Sequence, residues 1–524
     1  MAVIIEKKDR RLIPNWRSFS TTISLGELDS SSVIPIVKPN LSIDEYIEDF
    51  QTNETIPFAA DLISASIVNG FTDNELVKKA AQFITDRQNE ATKSQYDISK
   101  NILSTTETST ECPIENITIK ELENCLPKEN YYLQIQRLKK NLIDFPYNPI
   151  IWVELSRCYS ILGQEKQAVK SMKIAVQLAP ENRFVLRCAV RLFSHYYELE
   201  IAHDILKKTR ITNFDPWLTS AEISIAMLQG RNSRYIKRGI ELVDSKNLSP
   251  FSITELASSI ATFELLSGER KKSKKMFGKS LISPNDNSLA QIEWVLSDID
   301  KSLIDREQIN IKTKHNFEAQ AFSNFYQATL TDKKKLIDAL NNTCQWFYDM
   351  PFSKRPVIMG SSIAAILDER NLSIKFLESG LISHSNDALM LNNIAYYLAL
   401  ENRTKDAFVY LERAKAQGTS KTKTIDICLT ATSGLVYFRE KKYEAGRNEY
   451  LKAIERTVLE NNKYHNWIAI LNYTREEILA KTDYIESAMQ LVTKIPDKED
   501  NDISVKKLHS EVLNLYDKYK QEEK

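Results

Sequence analysis

Apolar residues recur at helical spacing along most of the chain, and the clearest segment is NPIIWVELSRCYSILGQEKQAVKSMKIAVQLAPEN. Its first half places apolar residues at i, i+3, i+7 and i+10, on one face of a helix: Trp152, Leu155, Tyr159 and Leu162. Gly163 interrupts this helix. A second amphipathic helix follows and ends at Pro180, because proline cannot continue a helix. The pattern predicts two short helices joined by a tight turn.

The same segment resembles the tetratricopeptide repeat, a helical hairpin of about 34 residues. The family pattern of aromatic, Leu, small, Tyr, Gly, Ala, bulky, Ala and Pro is filled by Trp152, Leu155, Ser156, Tyr159, Gly163, Ala168, Met172, Ala175 and Pro180. Ser156 is a mild departure, because glycine or alanine is usual at that position. The resemblance implies an all-α fold, an α-solenoid in which such hairpins stack.

Weaker copies of the pattern follow. The next copy places Leu186, Ala189, Val190, Phe193, Ala202 and Leu206 at equivalent positions, with Thr209 where alanine is usual. Another hairpin opens at Pro216. In a fourth candidate repeat, Gly268 comes one residue later than the family pattern requires. In the family register, Lys272 and Lys279 would stand where alanines are usual. We predict a first repeat array over residues 126–300.

A second strong match is DALMLNNIAYYLALENRTKDAFVYLERAKAQG. It fills the family positions with Leu391, Ile394, Ala395, Leu398, Ala407, Leu411 and Ala414. The repeat that follows is offset by more than one repeat length, so about five residues are inserted near 420–424. We predict a second array with C-terminal helices over residues 354–524, and a helical connector over 301–353 that does not fit the repeat register.

Residues 1–125 follow a different pattern and are predicted to form a separate, partly irregular N-terminal module. The stretch STTISLGELDSSSVIPIVKPN has no helical period. Two helices are expected after it, one beginning at Pro57 and one after Thr72-Asp73. The stretch NILSTTETSTECPIENI is interpreted as a linker.

Composition narrows the class of protein further. The chain has 524 residues, too many for one compact core, so several domains or an elongated array are expected. Lys plus Arg and Asp plus Glu both number 70, so there is no basic excess of the kind that general nucleic-acid or membrane-surface binders carry. The six cysteines are scattered without a CxxC pair, which is typical of reduced thiols. No signal peptide and no membrane helix is expected, so we predict a cytoplasmic protein.

The sequence offers little catalytic chemistry. None of the six histidines lies in HExxH or beside a cysteine pair, so no metal or other cofactor is expected. The triplet Gly278-Lys279-Ser280 mimics the end of a phosphate-binding loop, but Ser273 stands where that motif needs a glycine. We therefore expect no enzyme. The least favoured alternative is an active site within residues 1–125, where no histidine occurs.

In stacked hairpins of this kind the first helices line a concave groove that binds partner segments. In the first array, the residues that avoid the internal packing positions are Arg157, Arg187, Arg191 and His195. A basic stripe there would favour an acidic or phosphorylated protein segment. In the second array, the corresponding residues are Asn392, Asn393 and Tyr396, which could bind a peptide backbone. The full lysine-and-asparagine clamp of chaperone-tail-binding family members is missing.

A lysine cluster supports an alternative function. Phosphate-contact candidates are Lys271, Lys272, Lys274 and Lys275, although a solvated helix start explains them more simply. No aromatic residues alternate with these lysines, so a single-strand stacking surface is not indicated. The leading hypothesis is a non-catalytic scaffold or adaptor that binds partner proteins, as a subunit of a multi-protein complex. The alternative is a sensor or regulatory subunit of a nucleic-acid-handling complex.

Overall fold

The computed structural model describes residues 43–69, 74–88, 90–91, 93–104, 130–245, 248–305, 317–330, 333–417, 423–496 and 503–522. Helices account for most of these residues, and none of them lies in a strand. The all-α prediction is therefore confirmed for the described part of the chain. Within that part, no helix is both long enough and apolar enough to cross a membrane.

Four helices form an N-terminal group: α1 (Ile43–Thr52), α2 (Ile56–Asn69), α3 (Glu75–Asp86) and α4 (Lys93–Ser104). They bury their own small core, in which Phe50, Leu62 and Ile84 are almost fully enclosed. The sequence predicted α2 and α3 but neither α1 nor α4. The predicted irregular stretch before residue 43 and most of the predicted linker lie outside the described residues.

The first array contains α5 (Tyr131–Asp144), α6 (Pro149–Ile161), α7 (Glu165–Leu178), α8 (Arg183–His195), α9 (Leu199–Lys208), α10 (Pro216–Leu228), α11 (Ile236–Asp244), α12 (Thr254–Leu266), α13 (Arg270–Ser280) and α14 (Asp286–Trp294). Polar caps followed by proline start two of its helices. The side chains of Asn148 and Asp215 accept hydrogen bonds from backbone N–H groups in the first turns of α6 and α10.

The rest of the chain contains α15 (Phe317–Gln327), α16 (Lys333–Asp349), α17 (Lys354–Ile366), α18 (Arg370–Ser383), α19 (Ala388–Leu400), α20 (Thr404–Lys415), α21 (Lys423–Arg439), α22 (Tyr443–Leu459), α23 (Lys463–Ala480), α24 (Ile485–Val492) and α25 (Ile503–Glu522). The helices α15 and α16 of the predicted connector pack as a hairpin, and α16 packs on α17. This segment is thus itself part of the stack.

A single residue with positive φ marks the turn inside most hairpins. These turn residues are Gly163, Tyr197, Gly230, Gly268, Asp368, Asn402, Lys441 and Lys481. A helix that reverses within a few residues needs this left-handed conformation, which glycine adopts without a steric penalty and other residues adopt at a cost of about 1–2 kcal/mol. These left-handed turns recur regularly along the chain, so the backbone itself shows the helical-hairpin repeat even where the turn residue is not glycine.

Small residues set the distance between the two helices of each hairpin. Ala168 and Ala175 of α7 are fully buried against α6. In α13 the equivalent positions are held by Ser273 and Ser280, both fully buried. Measured from the turn residue Gly268, these serines occupy the alanine positions. The predicted assignment of lysines to those positions was therefore wrong by one residue.

The earlier helices of the first array share one hydrophobic core cluster with the second array, and this cluster includes residues within 131–225 and 321–512, whereas the later helices of the first array bury a separate cluster. The two arrays are joined in the shared cluster by a contact between distant parts of the chain, in which α18 packs against α6. Ser383 Oγ at the end of α18 donates a hydrogen bond to Ile161 O at 2.6 Å, at the end of α6. The stack of hairpins therefore curls back on itself and does not extend as an open rod.

Candidate functional site: the inner surface of the array

First helices of consecutive hairpins pack side by side, α6 with α8, α8 with α10, α10 with α12, and α19 with α21 and then α23. We call the surface that these first helices form the inner surface. The residues predicted to bind partners all belong to it. The structure places them in three different environments, described in turn.

The first environment is the inter-array contact, where α6 and α8 meet residues 349–384. Arg157 is 6% exposed, and its Nη2 lies 3.4 Å from Asp349 O. Arg191 lies with its guanidinium carbon 5.8 Å from the Phe352 ring centre. Nε of both arginines is buried without a hydrogen-bond partner in the described part of the chain. Burial also lowers the pKa of Arg191.

Two histidines complete the inter-array contact. The His195 ring lies 5.2 Å from the Phe352 ring and 5.4 Å from the His384 ring. Burial holds the pKa of His195 well below its usual value, and the nearby His384, Arg191 and Lys354 lower it further. Burial also lowers the pKa of His384. Both rings are therefore neutral at pH 7, which limits the positive charge in this contact.

Arg187 lies in the second environment, between α8 and the later helices of the first array. Its Nη2 donates to Glu255 Oε1 at 2.8 Å, and its guanidinium stacks over the Trp217 ring at 4.6 Å. Glu255 is 1% exposed and also accepts hydrogen bonds from Asn285 and Asn287. Arg187 thus helps to hold the array together.

The arginine stripe predicted from the sequence is therefore not an open surface. Arg157, Arg187, Arg191 and His195 lie on α6 and α8, and their side chains are engaged within the chain. Binding of an acidic partner by these four residues stays a prediction. In this arrangement, a partner would have to displace residues 349–384 to reach Arg157 and Arg191.

The third environment is in the second array. Asn392 and Asn393 are fully buried, and Asn392 Oδ1 accepts a hydrogen bond from Thr432 Oγ1 at 2.9 Å. The hydrogen bond between Asn392 and Thr432 joins α19 to α21. Tyr396 is different, because its hydroxyl donates to Asn472 Oδ1 at 2.7 Å across to α23 and its ring lines a cleft.

This cleft, which we call the C-terminal cleft, lies between α17, α19, α23 and α25. It encloses about 100 Å³. Its walls are formed by Ser362, Ala365, Ile366, Asp368, Arg370, Tyr396, Tyr397, Leu400, Ile468, Asn472, Arg475, Ser504, Lys507, Leu508 and Glu511. It combines aromatic and aliphatic walls with a few charged groups, the usual make-up of a binding pocket.

Arg475 is the charged group buried most deeply in the C-terminal cleft. It is 3% exposed, and its Nε donates to Glu476 Oε1 at 2.9 Å. Glu476 is itself held by Arg439 Nη2 at 2.9 Å. Nη2 of Arg475 is buried and has no hydrogen-bond partner among the described residues. An unpaired buried donor of this kind costs about 1–3 kcal/mol, and more when charged, so it favours a ligand with an acceptor.

Sequence reasoning missed Arg475 because a charged residue in a helical pattern is normally solvated. The signal was nevertheless present. In α23 the apolar run Ile468–Leu471 and Ile478 flank the charged triplet Arg475-Glu476-Glu477, and all three charged residues are buried. Consecutive residues point in directions about 100° apart on a helix, so a charged triplet between apolar residues is a weak signal that one of the charges faces inward.

The lysine cluster lies on α13. Lys271, Lys274 and Lys275 are exposed, and the i, i+3, i+4 spacing places them on one side of the helix. Lys272 forms ion pairs with Glu269, at 3.4 Å, and with Glu264, at 4.0 Å. All four predicted phosphate contacts are thus exposed, and phosphate binding by them stays a prediction.

No group of His, Cys, Asp and Glu within the described residues is placed to hold a metal ion. The cysteines that the structure describes, Cys158, Cys188, Cys344 and Cys428, are buried. Burial raises the pKa of Cys428 to about 12 and raises that of Cys188 as well. Such thiols are poor nucleophiles, because the thiolate is the reactive form.

The hairpins, their left-handed turns and their stacking define the class of protein: the chain is an α-solenoid of tetratricopeptide-type helical repeats. No protein-family model and no curated protein matches it. Solved structures give distant likenesses. The structure of a human IFIT1 dimer with PPP-AAAA is 13% identical, over 77% of this chain and 97% of that chain, with a TM-score of 0.36.

The APC/C hetero-tetramer Cut9–Hcn1 is also 13% identical, over 90% of this chain and 92% of that one, with a TM-score of 0.34. Naa15/Naa10 bound to HypK-THB is 12% identical over 88% of each chain, with a TM-score of 0.21. At these identities and TM-scores the likenesses assign no function to this chain.

Proposed function

We propose that this protein is a non-catalytic interaction scaffold, which binds a partner protein through the inner surface of its helical-repeat array. The observation that supports this most directly is the C-terminal cleft. Three of the helices that line it, α17, α19 and α23, are first helices of hairpins, and it contains a buried arginine, Arg475, with an unpartnered N–H group. A cleft of about 100 Å³ accommodates one side-chain head group, as expected for the anchor of a larger partner.

The proposal extends to the setting of the protein. A repeat array of this length suits an adaptor subunit of a multi-protein complex, because each hairpin adds surface without needing a larger core. We also propose a cytoplasmic location, which the four buried cysteine thiols support. The exposed lysines on one side of α13, Lys271, Lys274 and Lys275, are not part of this anchor.

The same lysines carry the second candidate function, contact with a nucleic-acid backbone. The two candidates differ in salt dependence and in the captured molecule. Three phosphate contacts would give a log–log salt slope of about −3 on double-stranded DNA, whereas a partner anchored in an inner cleft depends much less on salt.

The experiment is capture of the tagged full chain from its native cells at low and high salt, with and without nuclease. The proposal predicts a stoichiometric protein partner that survives high salt and nuclease treatment. The substitution of Lys271, Lys274 and Lys275 by glutamate should leave that partner bound. Nucleic acid retained only at low salt and lost in the triple variant would support the second candidate. The absence of any partner would contradict both.

A further inference from the structure

The polar groups of the C-terminal cleft differ in whether their hydrogen-bonding capacity is already used. Lys507 lies at the wall and donates to Ala365 O at 3.2 Å, to Ile366 O at 2.6 Å and to Asp368 Oδ1 at 2.5 Å. Its three protons are therefore committed to the C-terminal end of α17. Arg370 is likewise turned toward Glu401, at 3.0 Å.

Several neutral groups of the wall are also engaged in hydrogen bonds. Tyr396 donates to Asn472, and the amide nitrogen of Asn472 donates to Ile468 O at 2.8 Å. These bonds fix the side chains and leave little donor capacity for a ligand. Arg475 also lines the cleft, and its Nη2 is buried with no acceptor among the described residues.

Glu511 supplies the complementary group. It lies on α25 and lines the same cleft, and its negative charge acts on Arg475. The two side chains nevertheless form no ion pair in the described structure, where the Arg475 guanidinium pairs with Glu476 instead. The cleft therefore presents a fixed donor and an acceptor, on different helices, with a gap between them.

The chemistry of this gap selects its occupant. A carboxylate would satisfy Arg475 but would be repelled by Glu511 and Asp368, and a cation would be repelled by Arg475. A primary carboxamide has a C=O acceptor at one side and an N–H₂ donor at the other, without net charge. The volume of about 100 Å³ leaves room for such a head group and a short aliphatic stem against Leu400 and Leu508.

We propose that the C-terminal cleft binds a carboxamide side chain, that of glutamine or asparagine, with its carbonyl on Arg475 and its amide N–H₂ on Glu511. The inference rests on the proposed function in one respect, that the carboxamide belongs to a segment of a partner protein. The same chemistry is present in free glutamine, so the test includes both sources.

The test uses three probes of similar shape, propionamide, propionate and propylammonium, with the full-length protein and ligand-observed NMR. Propionamide is expected to bind with roughly millimolar affinity, as for other very small ligands, and the two charged probes more weakly. In Glu511→Gln the amide affinity should fall about tenfold, because a hydrogen bond to a charged acceptor is lost. The matched control is Asp517→Asn, the same acid-to-amide change at an exposed position on the same helix.

A second variant, together with its own control, separates an effect on the cleft from a loss of folding. Ala365 is half-buried at the cleft wall, so Ala365→Leu should fill the cleft and abolish propionamide binding without removing a polar group. Ala445→Leu, on the exposed side of α22, is its control. Stronger binding of propionate than of propionamide, or no binding of any probe because water alone fills the cleft, would overturn the inference.

Two further arms distinguish the sources of the carboxamide. Free glutamine binding more tightly than a glutamine-containing peptide would assign the cleft to a small molecule. That result would keep the carboxamide chemistry and contradict the protein segment as its source. Conversely, a partner captured from cells that binds equally to wild type and Ala365→Leu would preserve the proposed function and overturn the role of the cleft.

Discussion

The closure of the first array on the second can be tested at a single glycine. Gly163 forms the turn between α6 and α7 with φ +67°. A Cβ atom there would lie 3.0 Å from Ser383 O and 3.2 Å from Ile382 O, both backbone atoms at the end of α18. Backbone atoms of a packed helix cannot rotate away, so Gly163→Ala is expected to push α6 and α18 apart by a few tenths of an ångström.

Gly230 provides a matched control. It forms the turn after α10 with the same φ of +67°, but nothing lies within 4 Å of its Cβ position. Alanine at either glycine costs about 1–2 kcal/mol for the left-handed backbone. At Gly163 the collision with α18 should add about 1–3 kcal/mol, as for other overpacked sites. The difference between the two variants therefore isolates the inter-array contact.

The assay is native-state hydrogen exchange read by mass spectrometry, because a long repeat array need not unfold in one step. In Gly163→Ala, amides of both α6 and α18 should exchange faster than in wild type. In Gly230→Ala, only amides near α10 and α11 should change. Equal effects of the two variants, or no change in α18 when Gly163 is substituted, would refute the proposed closure.

Three further predictions concern packing, pH and the C-terminal helix. Gly360→Ala should destabilise the protein by about 1–3 kcal/mol, because its Cβ would lie 2.5 Å from the Phe376 ring. Gly278→Ala has open space around the new Cβ and should stabilise α13 by about 0.5–1 kcal/mol. Thermal melting of the two variants and the wild type compares these effects. Burial lowers the pKa of His465 to about 4, so the stability that the neutral ring contributes is complete above pH 6.5 and is lost as the pH falls toward 4. His465→Gln should reduce the loss of unfolding free energy over this pH range by about 2–3 kcal/mol, measured by thermal melting at several pH values. An unchanged pH profile would contradict this. Lys507→Met removes the hydrogen bonds to the end of α17 and should lower the exchange protection of α25 by about 1–2 kcal/mol, while unaltered protection would show that α25 is held by packing alone.

Much of the fold could be predicted from local pattern. The hairpin around Gly163 follows from helical periodicity and a glycine turn, and the hairpin at Asn402 was found from its alanines although asparagine occupies the turn. The pattern failed at α13, where serines replace the small residues, and at α15 and α16, which form a hairpin without the family residues. In each case the backbone geometry is kept by residues of suitable size that a residue-type pattern does not recognise.

The candidate site was harder to predict, because it depends on contacts between residues far apart in sequence. Arg157 and Asp349 are brought together by the summed rotation of all the hairpins between them, and no local pattern records that sum. The predicted arginines lie on first helices of the array, yet contacts with residues 349–384 bury Arg157 there. Arg475, in contrast, resembled an ordinary surface charge in the sequence, and only the packing of α23 against its neighbours encloses it.

The most direct test of the account is partner capture by two leucine variants of the tagged full chain. Ala365→Leu fills the C-terminal cleft, and Ala445→Leu adds the same side chain to an exposed helix face. Equal melting temperatures would first show that both variants are folded. The account predicts that the protein partner of the wild type is retained by Ala445→Leu and lost, or strongly reduced, in Ala365→Leu. Full retention of the partner by both variants would contradict binding at this part of the inner surface.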